Sequence, residues 1–220
     1  MYKLDFTVVV ERFPELLIGA MATIALSSTG IIIALIIGVG GALLRNSKNA
    51  YLHFIVSSFV ELIRNTPFLV QIFFLFFALP FIGVKMSPNM TAVIALGING
   101  GAYAIEIIRG GIDSVSRGQR EAALAIGLSR LDVFRYVILK PALRAIYPSL
   151  TSQFVLLLLT SSVCASIAAF ELTSLAQKIE SDTFRSFEVY FTITAIYLAL
   201  SWLLMSVFGL IGRRAFVYPT

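Results

Sequence analysis

The chain has a single cysteine and a single histidine among its 220 residues. One cysteine, Cys164, excludes an internal disulfide and argues against a cysteine metal site. The lone His53 offers no metal cluster either, so we expect no metal ion in this chain. With no paired acidic residues inside an apolar segment, these two side chains leave no convincing catalytic set, which disfavours an intramembrane enzyme.

Charged residues are also scarce. They make up 13% of the chain, whereas hydrophobic residues make up 58% and the mean hydropathy is +0.91. A soluble domain carries about 25% charged residues. Several uncharged runs approach or exceed the roughly twenty residues that cross a bilayer. The composition therefore predicts an all-α integral membrane protein.

Five membrane spans are predicted within a single transmembrane domain that covers residues 1–220. The spans lie at about 16–44, 54–79, 90–108, 148–170 and 189–211. The first span carries small residues at every fourth position, which permits close helix packing in lipid: Gly30, Ala34, Gly38 and Ala42.

The net charge of +5 lies in the loops rather than on one nucleic-acid-binding face. Eleven basic residues, Arg45 and Lys48 among them, follow spans one, three and five, and five lie in the N-terminal segment and after spans two and four. Basic loops stay in the cytoplasm. This distribution predicts an N-terminus outside, a C-terminus in the cytoplasm and no nucleic-acid partner.

The second span contains a helix break. Proline removes a backbone donor and pushes the preceding residue out of the helical region. The stretch after the proline is about 18 Å long at 1.5 Å per residue, too short for a core of about 30 Å. We therefore expect one broken helix, and for Glu61 and Arg64 a structural ion pair near the inner interface, with a gating role as the alternative. The structural or gating candidates are Glu61, Arg64, Thr66, Pro67 and Gln71.

Polar side chains in the third and fourth spans are candidates for contact with a solute. Asn99, Tyr103 and Glu106 share one helical face because of their spacing. An ionisable residue inside a span is a functional candidate by default, although Glu106 is equally well placed to pair with the arginine three residues on. Thr160 and Ser161 lie in an unusually polar stripe of the fourth span, and we expect them on the opposite side of the solute from this face.

Residues 116–148 form a charged block. Counted from Arg109 to Arg144, which includes the residues just before this block, there are seven basic and three acidic side chains. Ser116 and Ser129 each begin a capping-box pattern, which predicts two short helices with Gly127 between them. The second is amphipathic and too short to be stable alone. It needs a partner surface for its apolar side chains: Leu131, Phe134 and Ile138.

The residues EAALAIG and LSRLDVFRYVILKPAL resemble the EAA loop of ABC importer permeases. ELIRNTPFLVQIFFLFFALP and INGGAYAIEIIRGGIDSV are similar to the polar amino acid uptake branch of that family. The resemblance implies a type I importer permease, with five transmembrane helices and cytoplasmic coupling helices. It also implies a location in the bacterial inner (cytoplasmic) membrane.

The resemblance further implies that one short helix docks on an ATP-binding subunit. Ala122 and Ala123 would allow close approach, and Glu121 would meet a basic group of that subunit. The implied coupling residues are Glu121, Ala122, Ala123, Gly127, Arg130, Leu139 and Pro141. The sequence departs from the family pattern where Lys140 separates the leucine from the proline. A charged pair common in the fourth span of related permeases is also missing, which favours a heteromeric permease pair.

The implied complex has several partners, because five helices without an internal repeat can hardly enclose a solute path alone. They are two ATP-binding subunits, a second permease copy or paralogue, a periplasmic or extracellular solute-binding protein, and the amino acid itself. The chain has no Walker A pattern. ATP and magnesium are therefore expected on the ATP-binding partner, with no cofactor and no catalysis in this chain. The alternative is a secondary transporter or channel that works without ATP.

Overall fold

The computed structural model describes residues 3–45, 47 and 49–215, and these ranges contain helices and no strand. Lys48, one of the basic residues in the topology count, lies outside them. The helices are α1 (Thr7–Glu11), α2 (Phe13–Arg45), α3 (Ala50–Arg64), α4 (Phe68–Ile82), α5 (Pro88–Asp113), α6 (Arg117–Ala125), α7 (Arg130–Ile167), α8 (Leu172–Thr183) and α9 (Ser186–Ala215). α2, α5, α7 and α9 are long and apolar enough to cross a membrane, and the bent pair of α3 and α4 makes a fifth if it counts as one span. The prediction of an all-α membrane protein is confirmed.

α2 and α5 pack against each other along most of their length and form the centre of the bundle. Residues with little or no side chain permit this approach. Gly97 and Gly101 of α5 lie against Ile33 and Ile37 of α2. The small-residue stripe predicted in the first span is buried at all four positions: Gly30, Ala34, Gly38 and Ala42. Its interpretation as a packing surface is confirmed.

Gly38→Ala is expected to lower the unfolding temperature of the protein in detergent. An added Cβ would lie 2.5 Å from the Ala104 Cβ, an atom fixed to its own backbone that cannot rotate away. Such overpacking costs about 1–3 kcal/mol. The control is Gly40→Ala in the same helix, where a Cβ meets nothing within 4 Å. Equal unfolding temperatures of the two variants would contradict this account of the contact.

The predicted break in the second span is confirmed. α3 and α4 meet at an angle of 108° around Pro67. α4 begins as an ordinary helix, widens to π-helical turns over Phe74–Ala78 and narrows to a 3₁₀ turn over Leu79–Ile82. Gly83 ends it with φ +88°, a conformation that glycine adopts without strain. The two halves therefore run in different directions.

The fourth helix corrects the sequence prediction. A separate short helix was expected after Ser129, with the fourth span beginning near Pro148, and this was wrong. α7 runs continuously from Arg130 to Ile167. Residues Val133–Ile138 form wider π-helical turns directly before Pro141. A widened turn accommodates a proline ring that would clash with an ordinary preceding turn, so the helix continues.

The end of the bundle away from α6 is held together by polar contacts of the N-terminal segment. Arg12 pairs with Glu15 and lies 3.3 Å from Asp182 of α8. The Glu188 carboxylate, at the start of α9, is fully buried and accepts a hydrogen bond from the Asp5 backbone N–H at 2.9 Å. These contacts join the N-terminal segment to both α8 and α9.

α8 begins at a buried acidic cap, Glu171. Its carboxylate accepts hydrogen bonds from the backbone N–H groups of Thr173 at 2.8 Å and Ser174 at 2.6 Å, and from the Tyr197 hydroxyl at 2.8 Å. Burial raises the pKa of Glu171 above its ordinary value, and these hydrogen bonds partly oppose the shift. The charged segment between the fourth and fifth spans is therefore a packed helix.

Candidate functional site

Gln71 of α4 replaces a hydrogen bond that Pro67 cannot make. In an uninterrupted helix the Ile63 carbonyl would accept from the N–H of residue 67, which proline lacks. Gln71 Nε2 donates instead to the Ile63 carbonyl at 2.7 Å and to Thr66 Oγ1 at 2.9 Å. Thr66 Oγ1 donates in turn to the Leu62 carbonyl at 2.8 Å. Two residues that were grouped as structural or gating candidates, Thr66 and Gln71, therefore form one hydrogen-bonded cap at the break.

The polar face of α5 lies against this break. Asn99 is 9% exposed, and its Nδ2 donates to Gln71 Oε1 at 3.0 Å. One turn further, the Tyr103 ring lies 5.2 Å from the guanidinium carbon of Arg64, within the range of a cation–π contact. The structure therefore brings the predicted solute-contact face of α5 together with the predicted structural or gating residues.

Glu106 is surrounded by arginines from three helices. Its carboxylate pairs with Arg45 of α2, with Arg64 of α3 at 3.8 Å and with Arg109 of α5 at 3.0 Å. The expected ion pair of Glu61 and Arg64 was wrong, because Arg64 points to Glu106 instead. These contacts favour the structural alternative for Glu106 over direct contact with a solute.

A groove of about 480 Å³ opens at the break, between α3, α4 and α5. We call it the break groove. Its walls are apolar, with Phe59, Val70 and Phe74 among them, and only Thr66 and Gln71 contribute polar side chains. The groove therefore offers a mostly apolar surface with two polar side chains at the bend.

Thr160 and Ser161 lie at the end of α7, where its last turns are 3₁₀ helical. This segment packs against α4 and α5. The Ser161 side chain is fully buried, and its Oγ donates to the Leu158 carbonyl of the same helix at 2.7 Å. Neither residue belongs to the lining of the break groove. The structure thus places them near α4 but not beside the polar residues at the bend.

The predicted short helix in the EAA segment exists as α6. Ser116 caps its start, and its Oγ accepts a hydrogen bond from the Gln119 backbone N–H at 3.3 Å. Gly127 follows its end with φ +89°, and its N–H donates to the Leu124 carbonyl at 3.0 Å. Both predicted helix signals are confirmed.

The two neighbouring alanines predicted to contact the partner, Ala122 and Ala123, have different environments. Ala123 is 6% exposed and packs with Val115 and Val133 of its own chain. Glu121 and Ala122 are exposed. The close approach that was expected of Ala123 is therefore made within the chain, where it brings α6 onto α7, and only Glu121 and Ala122 of these three face outward.

Three large apolar side chains are exposed around the end of α6. Leu124 is 47% exposed, Ile126 80% and Leu131 74%. We call these three residues the α6 patch. Arg130, at the start of α7, is exposed directly beside Leu131 in the chain. Apolar side chains clustered in a charged segment are typical of an interaction surface.

The last two predicted coupling residues lie further along α7. Leu139 lines a second apolar groove, of about 200 Å³, between α7, α2 and α5. Leu139 is 38% exposed. Pro141 is exposed and follows the widened turns of α7.

Arg45 is the partner that sequence reasoning missed. It was counted only as a basic residue after the first span, and 61 positions separate it from Glu106. A signal existed, because the small-residue stripes of α2 and α5 predict close packing, which brings the ends of these helices together. Within the described ranges, no group of three or more His, Cys, Asp or Glu residues could hold a metal ion.

Comparison with known proteins agrees with the resemblance. Residues 30–217 match the family described as binding-protein-dependent transport system inner membrane component. The chain belongs to this family. The matched region contains both the break and the α6 patch of this permease.

Individual relatives cover almost the whole permease. The glutamine transport system permease protein of Escherichia coli is 35% identical over 96% of this chain and 98% of its own length. The nopaline transport system permease protein of Agrobacterium fabrum is also 35% identical, over 90% of this chain and 87% of its own length. A crystal structure of an amino acid ABC transporter with histidines matches with a TM-score of 0.91 and 34% identity, over 97% of this chain and 100% of that one. The MetNI methionine ABC transporter matches at 19% identity with a TM-score of 0.74, which shows the fold alone.

Proposed function

We propose that this chain is the membrane-spanning permease subunit of an ATP-driven importer of polar amino acids. The α6 patch is the observation that carries the proposal, because it exposes apolar side chains at the end of a short capped helix and at the start of α7. The substrate class is supported by relatives named for glutamine and nopaline transport and by the amino acid transporter of similar structure.

The α6 patch would dock on an ATP-binding subunit. Fully burying a leucine or isoleucine side chain contributes about 1.5–3 kcal/mol. Ala122 leaves room for close approach, and Glu121 is placed to meet a basic group of the partner. ATP and magnesium would bind to that subunit, because this chain has no Walker A pattern.

The break groove would form this chain's share of the translocation path. Irregular backbone at membrane depth is tolerated where it lines a cavity or is buried in protein. The groove has few polar side chains, so a second permease subunit would supply further polar contacts. A path between two permease subunits agrees with the binding sites of other transporters, which lie between repeated units.

The orientation follows from the charge distribution. α6 and the basic ends of α5 and α9 would lie in the cytoplasm, with the N-terminal segment and α8 on the outer side of a bacterial inner membrane. A solute-binding protein would then deliver the amino acid to the α8 side.

The test is to purify the tagged chain from its native membrane in mild detergent and to identify the co-purified chains by mass spectrometry. The recovered complex is then reconstituted in vesicles, and glutamine uptake is measured with and without ATP and binding protein. We expect an ATP-binding subunit in stoichiometric amount, and uptake that requires ATP. Recovery of this chain alone, with uptake that needs no ATP, would favour a secondary transporter or channel.

A further inference from the structure

We propose that Gln71 and Asn99 are positioning residues that connect α5 to the helix break, and that they do not bind the solute. The inference rests on the proposed function for its transport readout. The inference assigns these two residues to the movement that accompanies transport. This holds although Gln71 lines the break groove and Asn99 donates a hydrogen bond to Gln71.

The polar atoms of Gln71 are engaged within the chain. Its amide nitrogen has two hydrogens, and the Ile63 carbonyl at 2.7 Å and Thr66 Oγ1 at 2.9 Å accept them. Its amide oxygen accepts from Asn99 Nδ2 at 3.0 Å. A solute could use the Gln71 nitrogen only by displacing Thr66 Oγ1 or the Ile63 carbonyl, and a displaced Ile63 carbonyl would be left without a donor. Pro67 cannot supply that donor.

α5 contacts both halves of the broken helix. On the α4 side the contact is Asn99 with Gln71. On the α3 side, Tyr103 and Glu106 both contact Arg64. A helix that holds both halves determines the angle between them. A rotation or shift of α5 must therefore change the bend at Pro67 or break one of these contacts.

α5 also leads directly to the α6 patch. It ends at Asp113, and Ser116 already caps α6. Any displacement of α6 by a docked subunit is passed to α5 through this short connection. The geometry therefore points to one continuous route from the α6 patch through α5 and Asn99 to the Gln71 cap.

The hydrogen bond between Asn99 and Gln71 has no ready substitute. The surrounding groove walls are apolar, so a displaced Gln71 amide would find few other partners. We therefore expect this hydrogen bond to be either intact or broken, with no intermediate arrangement. That behaviour is typical of a bend that switches between two positions.

The experiment uses the full complex in vesicles with Gln71→Glu and Asn99→Asp, which replace an NH₂ donor by oxygen and keep the side-chain shape. We expect the maximal rate of ATP-driven uptake to fall by about tenfold or more, while KM stays within about twofold. ATP hydrolysis should continue without the solute-loaded binding protein but lose its stimulation by that protein. The control is Asn89→Asp at the start of α5. The exposed Asn89 side chain accepts a hydrogen bond from the Phe170 backbone N–H through Oδ1, which the change keeps, so it should change none of these quantities.

A distance measurement tests the bend without transport. Spin labels are attached through Phe54→Cys in α3 and Phe81→Cys in α4, both exposed positions, while the native Cys164 is buried. Without solute, we expect Gln71→Glu and Asn99→Asp each to broaden or shift the distance distribution relative to the labelled parent. Asn99→Asp leaves both cap residues of the break in place, so it serves if Gln71→Glu fails to assemble.

The outcomes separate this inference from the proposed function. A raised KM with an unchanged distance distribution would mean that the two residues contact the solute, and it would overturn the inference. Unchanged uptake and unchanged distances would overturn it as well. If the parent complex showed no ATP-driven uptake, the proposed function would fail, while the distance distribution would still decide whether the two residues hold the bend.

Discussion

Glu106→Gln is expected to reduce ATP-driven uptake at least about tenfold and to lower the unfolding temperature of the complex. The carboxylate pairs with Arg45, Arg64 and Arg109, and its loss leaves three guanidinium groups close together. Removing one partner of a fully buried pair costs about 3–5 kcal/mol. The Glu106 side chain is 21% exposed, so we expect the free energy of unfolding to fall by about 2 kcal/mol. Uptake should fall because Glu106 no longer joins α3 to α5.

The matched control is Asp113→Asn in the same helix. Asp113 pairs with Arg109 at 3.0 Å, and its side chain is 59% exposed. Exposed pairs contribute about 0–1 kcal/mol, so uptake and unfolding temperature should stay close to those of the parent. Glu106 would instead be a solute contact if Glu106→Gln left the unfolding temperature unchanged and raised KM for cationic more than for neutral amino acids.

Gly127→Val is expected to release the ATP-binding subunit from the permease. The backbone at Gly127 has φ +89°, and a β-branched residue is a genuine outlier there. Left-handed backbone costs an L-residue about 1–2 kcal/mol. If the chain relaxes to avoid this cost, it displaces the neighbouring Ile126 and Leu131, and a loss of that size corresponds to about a tenfold lower affinity for the ATP-binding subunit. The measurement is the amount of ATP-binding subunit retained on tagged permease after washing in detergent.

Gly118→Val provides the comparison. An added Cβ meets nothing within 4 Å at either glycine, so bulk does not distinguish the two positions. Gly118 lies inside α6 with ordinary helical backbone, where the helix propensity of valine is no lower than that of glycine. We expect full retention of the ATP-binding subunit for this variant. Equal retention for the two variants would mean that the left-handed turn is not needed for docking.

The two predictions concern the C-terminal end of α5 and the helix that follows it, α6. Near the α6 end, Glu106 joins the ends of α2, α3 and α5. Beyond Asp113 the chain enters α6, whose shape depends on Gly127. A change at either place should uncouple the ATP-binding subunit from the helix break, but only Gly127→Val should do so without loss of bundle stability. Parallel measurement of uptake and unfolding temperature distinguishes the two causes.

Local patterns in the sequence were sufficient for much of the fold. The apolar runs predicted a membrane bundle, Pro67 predicted the break, and Ser116 and Gly127 predicted the start and end of α6. Each of these depends on a few neighbouring residues: a missing N–H, a hydroxyl that caps a helix, or a backbone conformation that glycine adopts cheaply. Such signals act within one or two helical turns, so the sequence alone determined them.

Only the tertiary structure decided which polar residues meet. Glu106 contacts Arg45 across 61 positions, and Asn99 contacts Gln71 across 28. These pairs depend on how far each helix is rotated about its axis and shifted along it relative to its neighbour. Close contacts at glycines between the helices determine both, and no pattern of neighbouring residues in the sequence predicts them. The same holds for Ala123, whose inward position follows from how α6 rests on α7. α7 stays continuous through Pro141 because its turns widen just before the proline, whereas local rules treat proline as a helix end.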